Sequence, residues 1–98
     1  MARFDLYTSA RGDFAVDVQA DLLEDFGRRV VVPLLPLANV PRPRKDLHPT
    51  FLVEGRMVVM ATHYISSVRR AELGRPKANL AHYRDDITRA LDMLFTGF

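Results

Sequence analysis

The sequence predicts an α+β fold in which an antiparallel β-sheet or small barrel packs against one C-terminal helix. Runs of β-branched and aromatic residues with strand-like alternation precede residue 70. Apolar residues at helical spacing follow, and they comprise Leu80, Tyr83, Ile87, Ala90, Leu91 and Leu94. Strands followed by a helix are typical of a sheet with the helix on one face.

Composition narrows the class of protein. The 98 residues, of which 48% are hydrophobic and 27% charged, fit one globular domain spanning residues 1–98. The absence of cysteine excludes disulfides, thiolate metal sites and a cysteine nucleophile. No signal peptide or membrane span is expected, and a net charge of +2 does not by itself indicate nucleic-acid binding. We expect a soluble cytoplasmic protein.

The first strands are predicted from alternation. Residues 4–8 alternate apolar and polar side chains, residues 9–13 form a turn, and Phe14, Val16 and Val18 then face one way. Residues 30–35 form a β-branched run, in which Pro33 favours an edge or bulged position.

The middle of the chain contains a loop and a hairpin. Residues 39–49 hold three of the six prolines and read as a loop. Residues 51–53 and 57–60 flank Glu54-Gly55-Arg56, which predicts a tight hairpin. Residues 62–68 either extend that strand or begin another, and residues 72–77 link the sheet to the helix.

The helix is predicted to begin at an Asn79 cap, with Asp85 and Asp86 near its positive end. Gly97 stands where a left-handed cap is required. The charged residues Arg84, Asp85, Arg89 and Asp92 are expected mostly on the face opposite the sheet. An apolar end of this kind is either docked for stability or is itself a contact surface, and the pattern leaves both open.

Three sequence blocks resemble the CcdB family of toxin–antitoxin proteins. They are residues 16–23 with Asp17-Val18-Gln19, residues 27–34 with Gly27-Arg28-Arg29, and residues 86–98, which begin Asp86-Ile87 and end Leu94-Phe95-Thr96-Gly97-Phe98. The resemblance covers nearly the whole chain. It implies a small SH3-like antiparallel β-barrel with a C-terminal helix, assembled as a homodimer.

The resemblance also implies a function: a poison that binds the A subunit of DNA gyrase and traps the cleaved-DNA complex. Such a toxin is not an enzyme, uses no cofactor, meets DNA only indirectly, and is neutralised by a cognate CcdA-like antitoxin. By position, the gyrase contacts fall on Leu22, Leu23, Asp92, Thr96, Gly97 and Phe98. The family typically has a tryptophan at the position of Thr96, so a homologue that binds antitoxin without toxicity is an alternative.

Two weaker hypotheses concern a ribonuclease site and an antitoxin contact. A metal-independent endoribonuclease on a similar barrel would use Arg28, Arg29 and Glu54, although salt bridges from the two arginines to Asp17 or Asp21 are favoured. Within the resemblance, the basic stretch of Arg42, Arg44 and Lys45 would meet an acidic antitoxin.

Two further expectations concern metals and the dimer. His48, His63 and His82 are spread along the sequence without the spacing of a helical metal pair, so a three-histidine metal site is not expected. Val31, Pro33, Met57 or Val59 at a sheet edge would need cover, which a symmetric dimer would provide.

Overall fold

The computed structural model describes residues 2–8 and 12–97 of the chain. Within them, a curled antiparallel sheet packs against one α-helix, α1, at Arg84–Thr96. This arrangement confirms the predicted α+β class and is consistent with the predicted SH3-like barrel, of which the described sheet forms a curled half-barrel. The strands are β1 Asp5–Thr8, β2 Phe14–Asp17, β3 Arg28–Pro36, β4 Thr50–Val53, β5 Arg56–Met60, β6 Ser66–Arg69 and β7 Ala78–Asn79.

The long strand β3 organises the sheet. One of its edges pairs with β2, and the other pairs first with β6 and then with β5. The order across the sheet is β4-β5-β3-β2-β1-β7, with β6 attached to β3. A 3-10 turn at Thr62–Tyr64 separates β5 from β6, so residues 62–68 begin a new strand and do not extend the hairpin.

The edge position predicted for Pro33 is wrong, because β3 is the central strand. Pro33 lies between Val31, which pairs with β6, and Leu34, which pairs with β5. Its carbonyl accepts a hydrogen bond from the Ala61 N–H at 2.9 Å on this same edge. The N–H that proline lacks therefore falls where the strand changes partner, and no hydrogen bond of a regular ladder is lost.

The predicted β4–β5 hairpin is confirmed, with a shorter loop. Glu54 and Gly55 form the two-residue connection, with φ of +50° and +78°, and Arg56 is the first residue of β5. Two positive φ angles in a two-residue loop are the turn that matches the twist of paired strands.

The helix confirms the predicted apolar stripe. Leu80, Ile87, Ala90 and Leu91 are buried, Tyr83 and Leu94 are half-buried, and the four charged residues named above are exposed. The four buried residues pack against one face of the sheet, which carries Leu6, Phe14, Val16, Val32, Leu34, Phe51, Val53, Val58 and Met60. No described helix is long and apolar enough to cross a bilayer.

The predicted Asn79 cap is wrong in detail. The α-helix begins at Arg84, after a 3-10 turn at Ala81–Tyr83. Asn79 Oδ1 accepts the Ala81 N–H at 2.9 Å, so it supports that preceding turn instead of the α-helix. Asp85 and Asp86 do lie in the first helical turn, as expected from the helix dipole.

A fully buried ion pair joins β2 to β3 on the opposite face of the sheet. Arg29 Nε donates to Asp17 Oδ2 at 2.7 Å, and both side chains are 0% exposed. The hydrogen bond to Asp17 raises the pKa of Arg29, against the opposing effect of burial. Arg29 Nη1 and Nη2 have no hydrogen-bond partner among the described residues, so Asp17 is the main compensation for this buried charge.

We predict that Asp17→Asn lowers the free energy of unfolding by about 3–5 kcal/mol, because it leaves a buried guanidinium without its counter-charge. Chemical denaturation at neutral pH measures the change. The matched control is Asp86→Asn, which removes an exposed carboxylate 3.5 Å from Arg89 and should cost about 0.5 kcal/mol or less. Equal effects of the two substitutions would contradict a structural role for the buried pair.

Candidate functional site

The loop between β2 and β3 presents apolar side chains to solvent. Leu22 is 95% exposed and Leu23 is 41% exposed, both within a 3-10 turn at Asp21–Leu23. Phe26, further along the same loop, is 60% exposed. A leucine pair is more often part of a core than of a surface, so this exposure suits a contact with another molecule.

Gln19 holds this loop in place through hydrogen bonds to residues on both sides of it. Gln19 Nε2 donates to the Leu23 carbonyl at 2.9 Å, and Gln19 Oε1 accepts the Val30 N–H at 2.9 Å. The Gln19 N–H in turn donates to Asp17 Oδ1 at 2.9 Å. The Asp-Val-Gln block and the buried ion pair therefore form one continuous support for the exposed leucines.

Two further arginines fasten the ends of the same loop. The Arg3 N–H donates to Asp21 Oδ1 at 2.8 Å. Arg70 Nη1 donates to the Glu24 carbonyl at 3.0 Å, and the Arg70 N–H donates to the Gly27 carbonyl at 3.1 Å. The leucines are thus displayed on a braced segment, which lowers the entropic cost of binding a partner.

The end of α1 is a second exposed surface. Asp92, Thr96 and Gly97 are exposed, and Phe98 lies outside the described residues. Gly97 has φ of +82° and its N–H donates to the Met93 carbonyl at 3.0 Å, which confirms the predicted left-handed cap. The Thr96 hydroxyl donates to the Asp92 carbonyl at 2.6 Å. The described part of this end is therefore exposed and not docked against the sheet.

The positions assigned to the gyrase contact leave out two aromatic residues that are exposed on the same two segments. Phe95 is 69% exposed although it lies four residues after Leu91, on the same apolar stripe. Burial decreases along that stripe, since Leu91 is buried, Leu94 is half-buried and Phe95 is exposed. The sheet therefore does not cover the last turn of the helix. Phe26 could have been found from its setting between Asp25 and Gly27, where a buried strand or helix residue is not expected.

The structure does not bring together the residues of the ribonuclease hypothesis. Arg29 is buried against Asp17, and Arg28 donates to Ser67 Oγ at 2.7 Å and to the Ser67 carbonyl at 2.8 Å. Glu54 lies in the β4–β5 turn, beyond the far end of β3. At 3.3 Å per residue, β3 alone separates the two ends by about 26 Å. The favoured salt bridge to Asp17 is confirmed for Arg29 and not for Arg28.

The basic stretch lies on an exposed loop. Arg42, Arg44 and Lys45 are all exposed. Arg44 Nε lies 2.7 Å from Asp46 Oδ1, so its charge is offset within the loop. Arg42 and Lys45 have no ion pair among the described residues, and they are the free cations that the loop offers to an acidic partner.

The four residues predicted at a dimer edge differ in how far they are exposed. Val31 and Val59 are buried within the protomer, Val31 in a small cluster with Tyr7 and Leu73, so neither needs cover. Pro33 is half-buried. Met57 is 46% exposed, opposite Leu52 at 57%, and these two form an apolar pair on the hairpin.

The three histidines are not as dispersed as their spacing suggested, because His48 and His63 are in contact at 3.0 Å. No group of three or more potential metal ligands is found within residues 2–8 and 12–97.

The whole sequence was compared with known protein families. The sequence model of the family described as CcdB protein matches residues 3–97. The match includes the Asp-Val-Gln block, the buried Arg29, the braced leucine loop and the cap of the last helix. The chain therefore belongs to the CcdB family, the toxins of toxin–antitoxin systems.

Proposed function

We propose that this toxin binds the A subunit of DNA gyrase and traps the enzyme on cleaved DNA, and that a cognate CcdA-like antitoxin neutralises it. The main support is that the positions assigned to the gyrase contact are exposed wherever the structure describes them. Leu22, Leu23, Asp92, Thr96 and Gly97 all reach solvent, on a braced loop and on a capped helix end. Phe98 belongs to the proposed contact by its position in the sequence.

The proposed action is binding and not catalysis. A protein that binds one state of gyrase more tightly than the others shifts the population toward that state by its difference in affinity. The bond chemistry then belongs entirely to gyrase. We propose no cofactor and no catalytic residue for this chain.

Exposed aromatic residues offer a way to replace the family tryptophan. Thr96 has no ring, but Phe95 beside it is 69% exposed and Phe26 is 60% exposed. Large rings that become buried on association contribute much of the affinity at protein interfaces. We therefore favour a toxin that retains gyrase binding over a non-toxic homologue.

The family also supports the proposal of a homodimer. Leu52 and Met57, paired across the β4–β5 hairpin, are an apolar surface that a second copy could cover.

We predict that Leu22→Asp weakens binding to the gyrase A subunit by at least about tenfold, because burying a leucine side chain contributes about 1.5–3 kcal/mol. Leu37→Asp is the matched control, since Leu37 is 41% exposed in another 3-10 turn, Leu37–Asn39. Calorimetric titration of each variant into purified A subunit gives the two affinities, and thermal melting checks the fold. Wild-type affinity of Leu22→Asp would remove the loop from the contact.

We predict that deleting Gly97 and Phe98 abolishes killing with little change in melting temperature. In the described part, Gly97 contributes only a cap hydrogen bond to Met93. Growth inhibition on induction measures toxicity, and plasmid linearised in the presence of gyrase measures the trapped complex. Continued killing by the shortened chain would contradict the assignment of Gly97 and Phe98 to the gyrase contact.

The ribonuclease alternative is tested by incubating the full-length protein with RNA. The RNA should remain intact, and its cleavage would favour that alternative.

We predict that Arg42→Glu combined with Lys45→Glu weakens antitoxin binding at low salt, because an acidic partner would then meet like charge. Arg75→Glu combined with Lys77→Glu is the control for the change in charge, since both residues lie exposed in a different loop. Binding measured at two salt concentrations separates charge from packing. Equal affinities of the double variant and the control would exclude the basic loop from the antitoxin contact.

A further inference from the structure

Two histidines fasten the basic loop to the body of the protein. His48 Nε2 lies 3.0 Å from His63 Nδ1, across 15 residues of sequence. The other ring nitrogen of His48, Nδ1, accepts the backbone N–H of Arg44 at 3.0 Å. Arg44 belongs to the basic loop, and His63 belongs to the 3-10 turn Thr62–Tyr64. The two rings therefore connect these two segments in one chain of hydrogen bonds.

This chain fixes the position of every proton in it. A backbone N–H can only donate, so His48 Nδ1 must carry a lone pair. A neutral His48 then carries its proton on Nε2 and donates it to His63 Nδ1, which must also carry a lone pair. Adding a proton to either Nδ1 places two donors against each other. The arrangement is compatible only with two neutral rings.

We propose that His48 and His63 form a pH-sensitive latch, which holds the basic loop to the Thr62–Tyr64 turn near neutral pH and releases it when His48 gains a proton. The proposal concerns the motion of the loop and is independent of what the loop or the toxin binds.

The charged and titratable groups around His48 agree with this behaviour. They are Arg44 and Asp46 from the loop, and His63 and Tyr64 from the turn, with the Tyr64 ring 4.3 Å from that of His63. Burial, then His63 and Arg44, lower the pKa of His48, and Asp46 acts in the opposite direction. Asp46 is itself paired with Arg44.

The sign of the pH dependence follows from this lowered pKa. The unfolded or released His48 takes up its proton near pH 6.5, before the latched form does. The stabilisation from the latch is therefore complete above about pH 6.5 and is lost as the pH falls through the lower pKa of the latched ring.

Release is confined to part of the loop. The Thr62 hydroxyl still donates to the Leu47 carbonyl, and the Met60 N–H still donates to the Pro49 carbonyl at 2.9 Å. Neither bond involves a titratable group. The Arg44 carbonyl also keeps the N–H groups of Leu47 at 3.0 Å and of His48 at 2.6 Å. Protonation would therefore release the Arg44 N–H and the contact between the two rings, and would leave the backbone turn at residues 44–48 and the sheet intact.

Hydrogen exchange of the Arg44 amide tests the latch. After correction for intrinsic exchange, its protection should fall by about tenfold or more between about pH 7.5 and about pH 5 in the full-length protein. His48→Asn should abolish this fall, because the amide oxygen takes the place of Nδ1 and accepts the Arg44 N–H at both pH values. His82→Gln, which changes an exposed histidine outside the pair, should behave as the wild type.

Two results would overturn the proposal. One is Arg44 protection that does not change with pH in the wild type, or that falls equally in His48→Asn. The other comes from nitrogen NMR near neutral pH, where the latch requires His48 to be protonated on Nε2, and protonation on Nδ1 would contradict it. Either failure would leave the proposed action on gyrase untouched.

Discussion

The buried ion pair between Asp17 and Arg29 links the core of the sheet to the loop that displays the exposed leucines. It couples the end of β2 to the start of β3 without exposure to water, and the second oxygen of Asp17 positions Gln19. Gln19 then holds both sides of the loop that displays Leu22 and Leu23. A buried pair contributes less to net stability than its close geometry suggests, because desolvation opposes it. Its value here is that it allows one conformation of an exposed apolar loop.

The helix end follows a related principle by different means. Ile87, Ala90 and Leu91 anchor α1 to the sheet, while its last turn projects beyond that support and exposes Phe95. The left-handed Gly97 closes the helix with a backbone hydrogen bond, so the projecting turn does not depend on packing for its shape. Both candidate contact surfaces thus expose large apolar side chains on segments held by hydrogen bonds, which reduces the entropy lost on association.

Sequence reasoning succeeded where local pattern decides the structure. The helix stripe, the hairpin at Gly55 and the cap at Gly97 each follow from spacing and glycine conformation within a few residues. It failed where long-range pairing decides. Pro33 is tolerated in the central strand because β3 changes partner there, and Val31 is covered by a distant Leu73. The contact of His48 with His63 has no local signal either, since the fold alone unites their loops.

In the proposed action, the toxin presents two exposed surfaces held by hydrogen bonds, and their binding alters the state of a larger enzyme. Hydrogen exchange of the protein, with and without purified gyrase A subunit, measures those surfaces most directly. We expect slower exchange at residues 21–26 and 92–97 in the complex, with exchange in the rest of the sheet unchanged. A complex that leaves both segments exchanging as in the free protein, or the absence of any complex, would contradict it.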